Sequence, residues 1–466
     1  VALIKSISGI RGTIGGKPAD NLTPVDVVKF AAAFGSWAKK NKPGAPIVIG
    51  RDARPSGEMV SNLVSNTLTG LGIDVVDLGL STTPTVEMAV PVEKAAGGII
   101  LTASHNLVQW NALKLLNDKG EFISGKDGEE VLQLAESEQF DFAPVNKLGT
   151  YTRKDHYLQY HIEQILKLPL VDVDAIKKKN FHVIVDAVNS SGGIAVPMLL
   201  KALGVSVKEL YCEPTGHFPH NPEPLPEHLT DIIREINKGK FDLGVVVDPD
   251  VDRLALVCED GSPFGEEYTL VAVADYVLNY GKKGNTVSNL SSTRALKDIT
   301  EKAGGVYFAS AVGEVNVVEM MKANNAVIGG EGNGGVIYPD LHYGRDALVG
   351  IALVLSLMAK ENLSALRLRK KYPDYFISKN KIELTREINV DRILDAVKKK
   401  YKKQPINTAD GVRIEFDSEW VHLRKSNTEP IIRIYAESDM ETKADNLAKK
   451  IIADIKEIIA EKMLAG

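Results

Sequence analysis

Pro46–Gly79 reads PIVIGRDARPSGEMVSNLVSNTLTGLGIDVVDLG. A β-branched apolar run opens it, and a turn rich in Gly, Asp, Pro and Ser follows. A helical stretch comes next, closed by Gly70 or Gly72, and a second strand ends the segment. The polar turn supplies helix-capping residues, and the late glycine supplies a left-handed stop. The same unit recurs at Phe181–Cys212, FHVIVDAVNSSGGIAVPMLLKALGVSVKELYC, with its stop at Gly204. It recurs again at Asn285–Ser310, NTVSNLSSTRALKDITEKAGGVYFAS, with its stop at Gly304. Strands alternating with helices imply crossover connections and mostly parallel sheets. Each unit is followed by one more buried strand that ends in a polar loop: GGIIL into TASHN, DLGVVV into DPDVDR, and NAVIGG into EGNGG. Loops at the carboxyl ends of strands are where α/β sheets bind ligands. Three such loops predict one site, a cleft built between related α/β/α domains.

The chain has 466 residues, too many for one core at about 150 residues per domain. The last stretch changes character. GVRIEFDSEWVHLRKSNTEPIIRIYAES reads as short strands around a polar loop. The segment after it carries Leu447, Ile451, Ile452, Ile455, Ile458 and Ile459 at helical spacing, a core face. Pro373 and the polar segment before Ile382 read as linker. The expected plan is three related α/β/α domains over residues 1–150, 151–259 and 260–372, and a smaller α+β domain over 373–466.

Composition excludes several classes. The net charge is −5, from 56 basic and 61 acidic residues, with no basic block to hold nucleic acid. Cys212 and Cys258 lack metal spacing and read as core or strand-end thiols. The apolar run Ile351–Ala359 is shorter than the roughly 18 residues of a membrane span. The start VALIKSISGIRG has no signal-peptide apolar region, so the cytoplasm is the expected compartment.

Asp248–Arg253, DPDVDR, places carboxylates at alternate positions straight after an apolar strand. Asp248, Asp250 and Asp252 would repel one another without a cation, and three inward oxygens suit a hard divalent ion such as Mg²⁺. Asp248, Asp250, Asp252 and Glu259 imitate an EF-hand, but Arg253 replaces the required glycine and a strand replaces the helix. A solvated acidic turn is the remaining alternative.

Ser104 in Thr102–Lys114, TASHNLVQWNALK, caps a helix starting near Val108 on its local context alone. It lacks the GxSxG elbow of a hydrolase. Beside a divalent ion its hydroxyl suits carrying a phosphoryl group. Arg424–Arg433, RKSNTEPIIR, reads as a phosphate cradle or as an exposed charged hairpin. Ser8–Gly12, SGIRG, offers Arg11 on a backbone that a ligand can approach. Gly329–Gly335, GGEGNGG, lacks dinucleotide or P-loop spacing, and Glu331 with Asn333 suits sugar hydroxyls. Asp52 and Arg54, in GRDARPS, read as a local structural pair.

Taken together, TASHN, DPDVDR, GEGNGG and RKSNTEP resemble, in order and over the whole chain, the motifs of the α-D-phosphohexomutase family: phosphoglucomutases, phosphomannomutases and phosphoglucosamine mutases. The resemblance implies a phosphoserine at Ser104, with His105 and Asn106 orienting its loop. It implies Mg²⁺ on Asp248, Asp250, Asp252 and a phosphoserine oxygen. Arg11 and Arg253 match arginines near the transferring phosphoryl group, and Lys114 matches a proton-transfer lysine. Glu331, and by position Asn333, fall to the sugar. Arg424, Ser426, Asn427, Thr428 and Arg433 fall to the phosphate that is not transferred.

The sequence also departs from the family pattern. Leu107 replaces a proline after the serine loop, Pro249 and Val251 replace both glycines of the metal loop, and Gly335 replaces a histidine. His342 and Arg345 are the candidates to stand in for that histidine. The implied reaction interconverts hexose 1- and 6-phosphates of glucosamine, mannose or glucose through a hexose 1,6-bisphosphate, which also acts as activator. The second reading is a phosphosugar-binding protein on the same fold without catalysis. Expected partners are small hexose phosphates, not nucleic acid or membrane, for a monomer or homodimer.

Overall fold

The computed structural model describes residues 3–6, 9–384, 388–425 and 431–464, with side chains up to residue 460. Three of its sheets repeat one pattern. In the second, strands run in the order Ser206–Leu210, His182–Asp186, Leu243–Val247, Leu254–Cys258; the first three are parallel and the last is antiparallel. The third repeats this with Tyr307–Ser310, Asn285–Asn289, Ala326–Glu331 and Gly335–Ile337. The first has the same kernel, Val75–Leu80, Ile47–Arg51, Gly97–Leu101 and Trp110–Leu116. It is widened by Gly9–Thr13 and Ile4–Ser6 on one side. On the other side Tyr151–Arg153, just past the expected domain end at 150, adds a parallel strand. The antiparallel fourth strand turns the chain back at each polar loop, so TASHN, DPDVDR and EGNGG each join a third strand to a fourth.

The helical stops fall where the glycines predict. Gly72, Gly204 and Gly304 adopt φ of 75, 73 and 83, the left-handed region that side chains disfavour. The expected caps do not form: Ser56, Ser191 and Arg294 hold the N-cap positions without a side-chain bond to the helix. The polar turn serves tertiary contacts instead. Ser56 Oγ accepts from Asn111, and Ser190 Oγ donates to the Pro249 carbonyl at 2.8 Å. No helix begins near Val108 either; residues 102–109 form a loop into the strand Trp110–Leu116.

The second and third units share one apolar core. The helix Ala347–Glu361 is buried from Ala347 to Ala359 and contributes to that core. A helix apolar on every face has to be enclosed, which accounts for the run around Ile351 without a membrane. Among the described residues no helix is long and apolar enough to cross one. The last domain is an antiparallel sheet whose apolar face is covered by Val390–Lys400 and Glu441–Leu464. Leu447, Ile451, Ile455 and Ile458 are buried there as the spacing predicts, with Ile452 and Ile459 at the margin. The segment before Ile382 is not linker: Phe376–Glu383 is a strand paired with Ile431–Ser438 along its whole length. Both cysteines are free thiols.

Candidate active site

Ser104 stands at φ 49, a left-handed backbone in a non-glycine residue. Such a conformation costs about 1 kcal/mol or more and needs surroundings that enforce it. Arg54 enforces it. Its Nη2 donates to the Ser104 carbonyl and, at 2.7 Å, to that of Asn106; its Nη1 donates to Leu107 and Trp110 at 2.6 and 3.1 Å. The remaining donor, Nε, binds Asp52 at 2.9 Å. Asp52 also accepts from Thr102 Oγ1, which in turn accepts from the Ser104 N–H. The local pair read from GRDARPS is therefore the clamp of the serine loop. Leu107 contributes its carbonyl to the clamp while its side chain is exposed, so the missing proline leaves the loop held.

The loop aims Ser104 Oγ at Asp248 Oδ2, 2.7 Å away. The ligand oxygens of Asp248, Asp250 and Asp252 cluster within 4.8 Å, all buried. Asp248 Oδ1 is used by the backbone N–H groups of Asp252 and Arg253 at 3.1 Å each. Val251, where the family pattern has glycine, takes φ 64 with its side chain fully buried, so packing holds a backbone that glycine would adopt freely. Burial and the neighbouring Asp252 and Asp250 push the Asp248 carboxyl well above its ordinary range. Asp252 is driven the other way: burial opposes ionisation, but Arg345, Lys114 and Arg253 outweigh it. Asp250 Oδ1 and Asp252 Oδ1 are buried without a hydrogen-bond partner among the described residues. Orphaned oxygens, crowded carboxylates and an all-oxygen donor set fit a hard divalent cation. Glu259 takes no part; it accepts from the Leu366 N–H at 3.0 Å.

Lys114 and Arg11 lie on neighbouring antiparallel strands, with Arg11 opposite Ala112 and Gly9 opposite Lys114. That register sends both side chains to one face. Lys114 Nζ donates to Asp250 at 2.6 Å and lies 3.4 Å from Asp252. Burial disfavours its charge, yet the two aspartates hold it as ammonium with a raised pKa. Arg11 binds Asn106 Oδ1 at 2.8 Å. His105 Nδ1 approaches Ser104 Oγ at 3.4 Å. Burial, Arg253 and Arg11 lower the His105 pKa well below its ordinary value, so its ring is neutral. Arg253 binds Glu223 at 3.1 Å, and its buried Nε has no partner among the described residues, a donor available to an anion.

On the third loop, Glu331 accepts from Asn289 Nδ2 and the Gly313 N–H through one oxygen and from Arg345 through the other. Asn333 turns the loop by accepting from the Gly335 N–H at 3.2 Å. Of the two stand-ins for the histidine missing at Gly335, only Arg345 reaches the site. His342 instead faces Asp346 at 3.2 Å and Glu87 at 3.4 Å.

Ser104, His105, Lys114, Arg11, Arg253, Glu331 and Arg345 line one cleft of about 420 Å³ between the first, second and third domains. The Asp248–Asp252 carboxylates lie buried behind them. Arg424 is joined to its rim indirectly: it pairs with Asp410 at 3.1 Å, and Asp410 accepts from the N–H of Val312, a rim residue. Arg433 lies opposite Arg424 on the next strand, exposed. Ser426, Asn427 and Thr428 lie outside the described residues. Sequence reading missed the role of Arg54, and it missed Glu314 and Glu223 altogether. Glu314 and Glu223 belong to no motif; each meets the site through an arginine distant in sequence, Arg345 and Arg253.

Four family models match in order: phosphoglucomutase/phosphomannomutase α/β/α domain I over residues 3–142, domain II over 159–261, domain III over 265–376 and the C-terminal domain over 381–454. A phosphoglucomutase/phosphomannomutase of Thermococcus kodakarensis is 37% identical over 94% of each chain. A probable phosphoglucosamine mutase of Methanopyrus kandleri is 30% identical over 97% of this chain and 98% of its own. Among solved structures, a phosphoglucomutase/phosphomannomutase family protein of Burkholderia thailandensis superposes with a TM-score of 0.84 at 25% identity, covering 98% of both chains. The repeated sheets, the serine aimed at an acidic loop and the matches to all four domains agree that this chain belongs to the phosphoglucomutase/phosphomannomutase family.

Proposed function

We propose that the protein interconverts hexose 1-phosphates and hexose 6-phosphates through a phosphorylated Ser104 and a hexose 1,6-bisphosphate. The observation that carries this is the pairing of Ser104 Oγ with Asp248 at 2.7 Å, in a cleft rimmed by Arg11, His105 and Arg253. Asp248, Asp250, Asp252 and an oxygen of phosphorylated Ser104 would hold Mg²⁺, which when bound supplies neutralisation of phosphoryl charge.

The chain's own residues do the rest. Arg11 and the unpartnered Nε of Arg253 bind phosphoryl oxygens. In the first half-reaction the phosphorus–Oγ bond of Ser104 breaks as a bond to the sugar hydroxyl oxygen forms. The hydroxyl loses its proton and Ser104 Oγ regains one. Lys114, held as ammonium beside the acidic loop, gives that second proton to Oγ and takes the hydroxyl's proton in return, so it ends the half-reaction as ammonium again. The bisphosphate then turns over in the cleft, and Ser104 takes back the other phosphoryl group. Glu331 reads sugar hydroxyls in both orientations, with Arg424, Ser426, Asn427, Thr428 and Arg433 proposed for the fixed phosphate. Closure of the last domain would exclude water from the phosphoserine.

Relatives named for glucose, mannose and glucosamine phosphates keep all three sugars as candidates. A parallel assay of glucosamine 6-phosphate, mannose 1-phosphate and glucose 1-phosphate, primed with bisphosphate and ranked by kcat/KM, decides among them. Ser104→Ala should abolish turnover. Intact-mass spectrometry should show a species about 80 Da heavier that is lost in that variant. EDTA should remove activity and added Mg²⁺ restore it. Near-normal kcat in Ser104→Ala sinks the proposal. No observation favours a binding protein without catalysis.

A further inference from the structure

Arg345 is buried, yet its guanidinium opens on the cleft and touches three carboxylates from three different elements. Nη2 donates to Asp252 of the acidic loop at 2.7 Å. Nη1 donates to Glu331 of the sugar loop at 2.8 Å. Nε donates to Glu314, at the start of the helix Glu314–Ala323, at 2.9 Å. Burial alone would weaken its charge, but the three carboxylates hold it firmly protonated, with Asp252 foremost. A planar fork serves three acceptors spread along its edges, whereas the three donors of an ammonium radiate from a single atom.

Gly335 is the second observation. A Cβ built there would lie 2.4 Å from Arg345 Cδ and 3.1 Å from its Cγ. The stem of Arg345 thus fills the space that any side chain at 335 would need. The glycine that interrupts the family pattern and the arginine ten positions on are therefore one feature, a cation reaching the cleft from another stretch of chain.

Glu331 shows what the arrangement achieves. Its Oε1 is held by Asn289 and the Gly313 N–H, and its Oε2 by Arg345. A carboxylate offers about four acceptor positions, so one remains for a sugar hydroxyl. Burial would raise its pKa, and Arg345 reverses the shift and keeps it an acceptor.

We propose that Arg345 is a substrate-positioning residue that orients the Glu331 carboxylate toward the sugar, in the space left open by Gly335. The inference rests on the mutase reading, because it takes the Glu331 ligand to be a hexose phosphate. A hexose that reverses between two phosphoryl transfers needs a sugar reader of constant geometry, and a triply anchored guanidinium supplies one.

The test is a double-mutant cycle read as Kd by calorimetry, with glucose 6-phosphate, mannose 6-phosphate and glucosamine 6-phosphate as probes. Arg345→Lys keeps the charge and loses the fork. Gly335→Ala removes no charge and displaces the arginine, so it carries the test if Arg345→Lys fails to fold. Each should weaken binding of the best probe by about 10-fold or more, and in a Glu331→Gln background each should add less than about 3-fold. Additive losses, or unchanged binding in both single variants, overturn the inference. Wild-type protein that binds none of the probes removes the inference together with the function beneath it, whereas wild-type binding with additive losses removes the inference alone.

Discussion

Ser104 and Arg54 illustrate what a single residue can and cannot disclose. The serine stands out through the motif around it, but its left-handed backbone is held by four donors of one guanidinium on the loop carbonyls, while the fifth holds Asp52. Asp52 and Arg54 were legible as a pair because they lie two positions apart. The carbonyls they restrain lie some fifty positions away and leave no local trace. Arg54→Lys keeps the charge but replaces five forked donors with three around one atom. It should lower kcat/KM by about 100-fold, as expected for a displaced catalytic group, and lower the thermal midpoint. Steady-state kinetics beside a melting curve checks both; unchanged kcat/KM would mean that the loop keeps its shape without the fork.

At the level of elements, apolar periodicity was the dependable guide and side-chain capping was not. The helix Ala347–Glu361 is a case where both matter. Its N-cap, Asp346, accepts from the N–H groups of Leu348 and Val349, and the next N–H, of Ala347, binds the Val251 carbonyl at 3.1 Å. The cap thereby ties the buried helix to the acidic loop. Asp346 also meets His161 Nε2 at 2.8 Å and His342 Nε2 at 3.2 Å, and His342 faces Glu87. These residues come from the first three domains, so the cap doubles as a clasp.

Burial alone would lower the His342 pKa, but the hydrogen bond to Asp346 and the nearby Glu87 carboxylate raise it to about 10. Its folded value lies above the unfolded value of about 6.5, so its stabilisation is complete below pH about 6.5 and is lost as pH rises through about 10. Asp346→Asn retains a capping oxygen and removes the charge. We expect it to destabilise the protein by about 3 kcal/mol at pH 6. The deficit should shrink toward pH 10, as urea unfolding across that range would record. A deficit that does not change with pH would show that the charge on His342 takes no part in the clasp.

The whole molecule is two kinds of junction. The second and third domains share a core, so their loops are held in a fixed relation. The last domain meets the third through discrete polar contacts. His422 Nδ1 accepts from Ser291 Oγ at 2.9 Å while Nε2 donates to the Asp410 carbonyl at 2.6 Å. The Arg294 N–H binds Glu437, and Arg413 donates to the Leu290 carbonyl at 2.5 Å. Such a polar seam suits a part that opens and closes over a cleft. Burial lowers the His422 pKa to about 4. Its contribution is therefore complete above pH about 6.5 and is lost as pH falls through about 4. Acidification across that window should loosen this seam before the shared core. Hydrogen exchange at residues 288–292 and 420–424 should rise there, with the helix Ala347–Glu361 still protected; simultaneous loss of both would contradict a separable last domain.

Sequence alone determined the recurring strand–helix–strand unit, the polar loop after each third strand and the crowding of the three aspartates. Each rests on short-range causes: periodicity, turn residues and like charges crowded within a few positions. Only the tertiary structure decided that Arg54 shapes the serine loop, that Arg345 rather than His342 fills the place left by Gly335, and that two domains share one core. Those outcomes depend on groups far apart in the chain meeting in a buried site. There the energy of an arginine is set by the carboxylates and carbonyls around it, not by its neighbours in sequence.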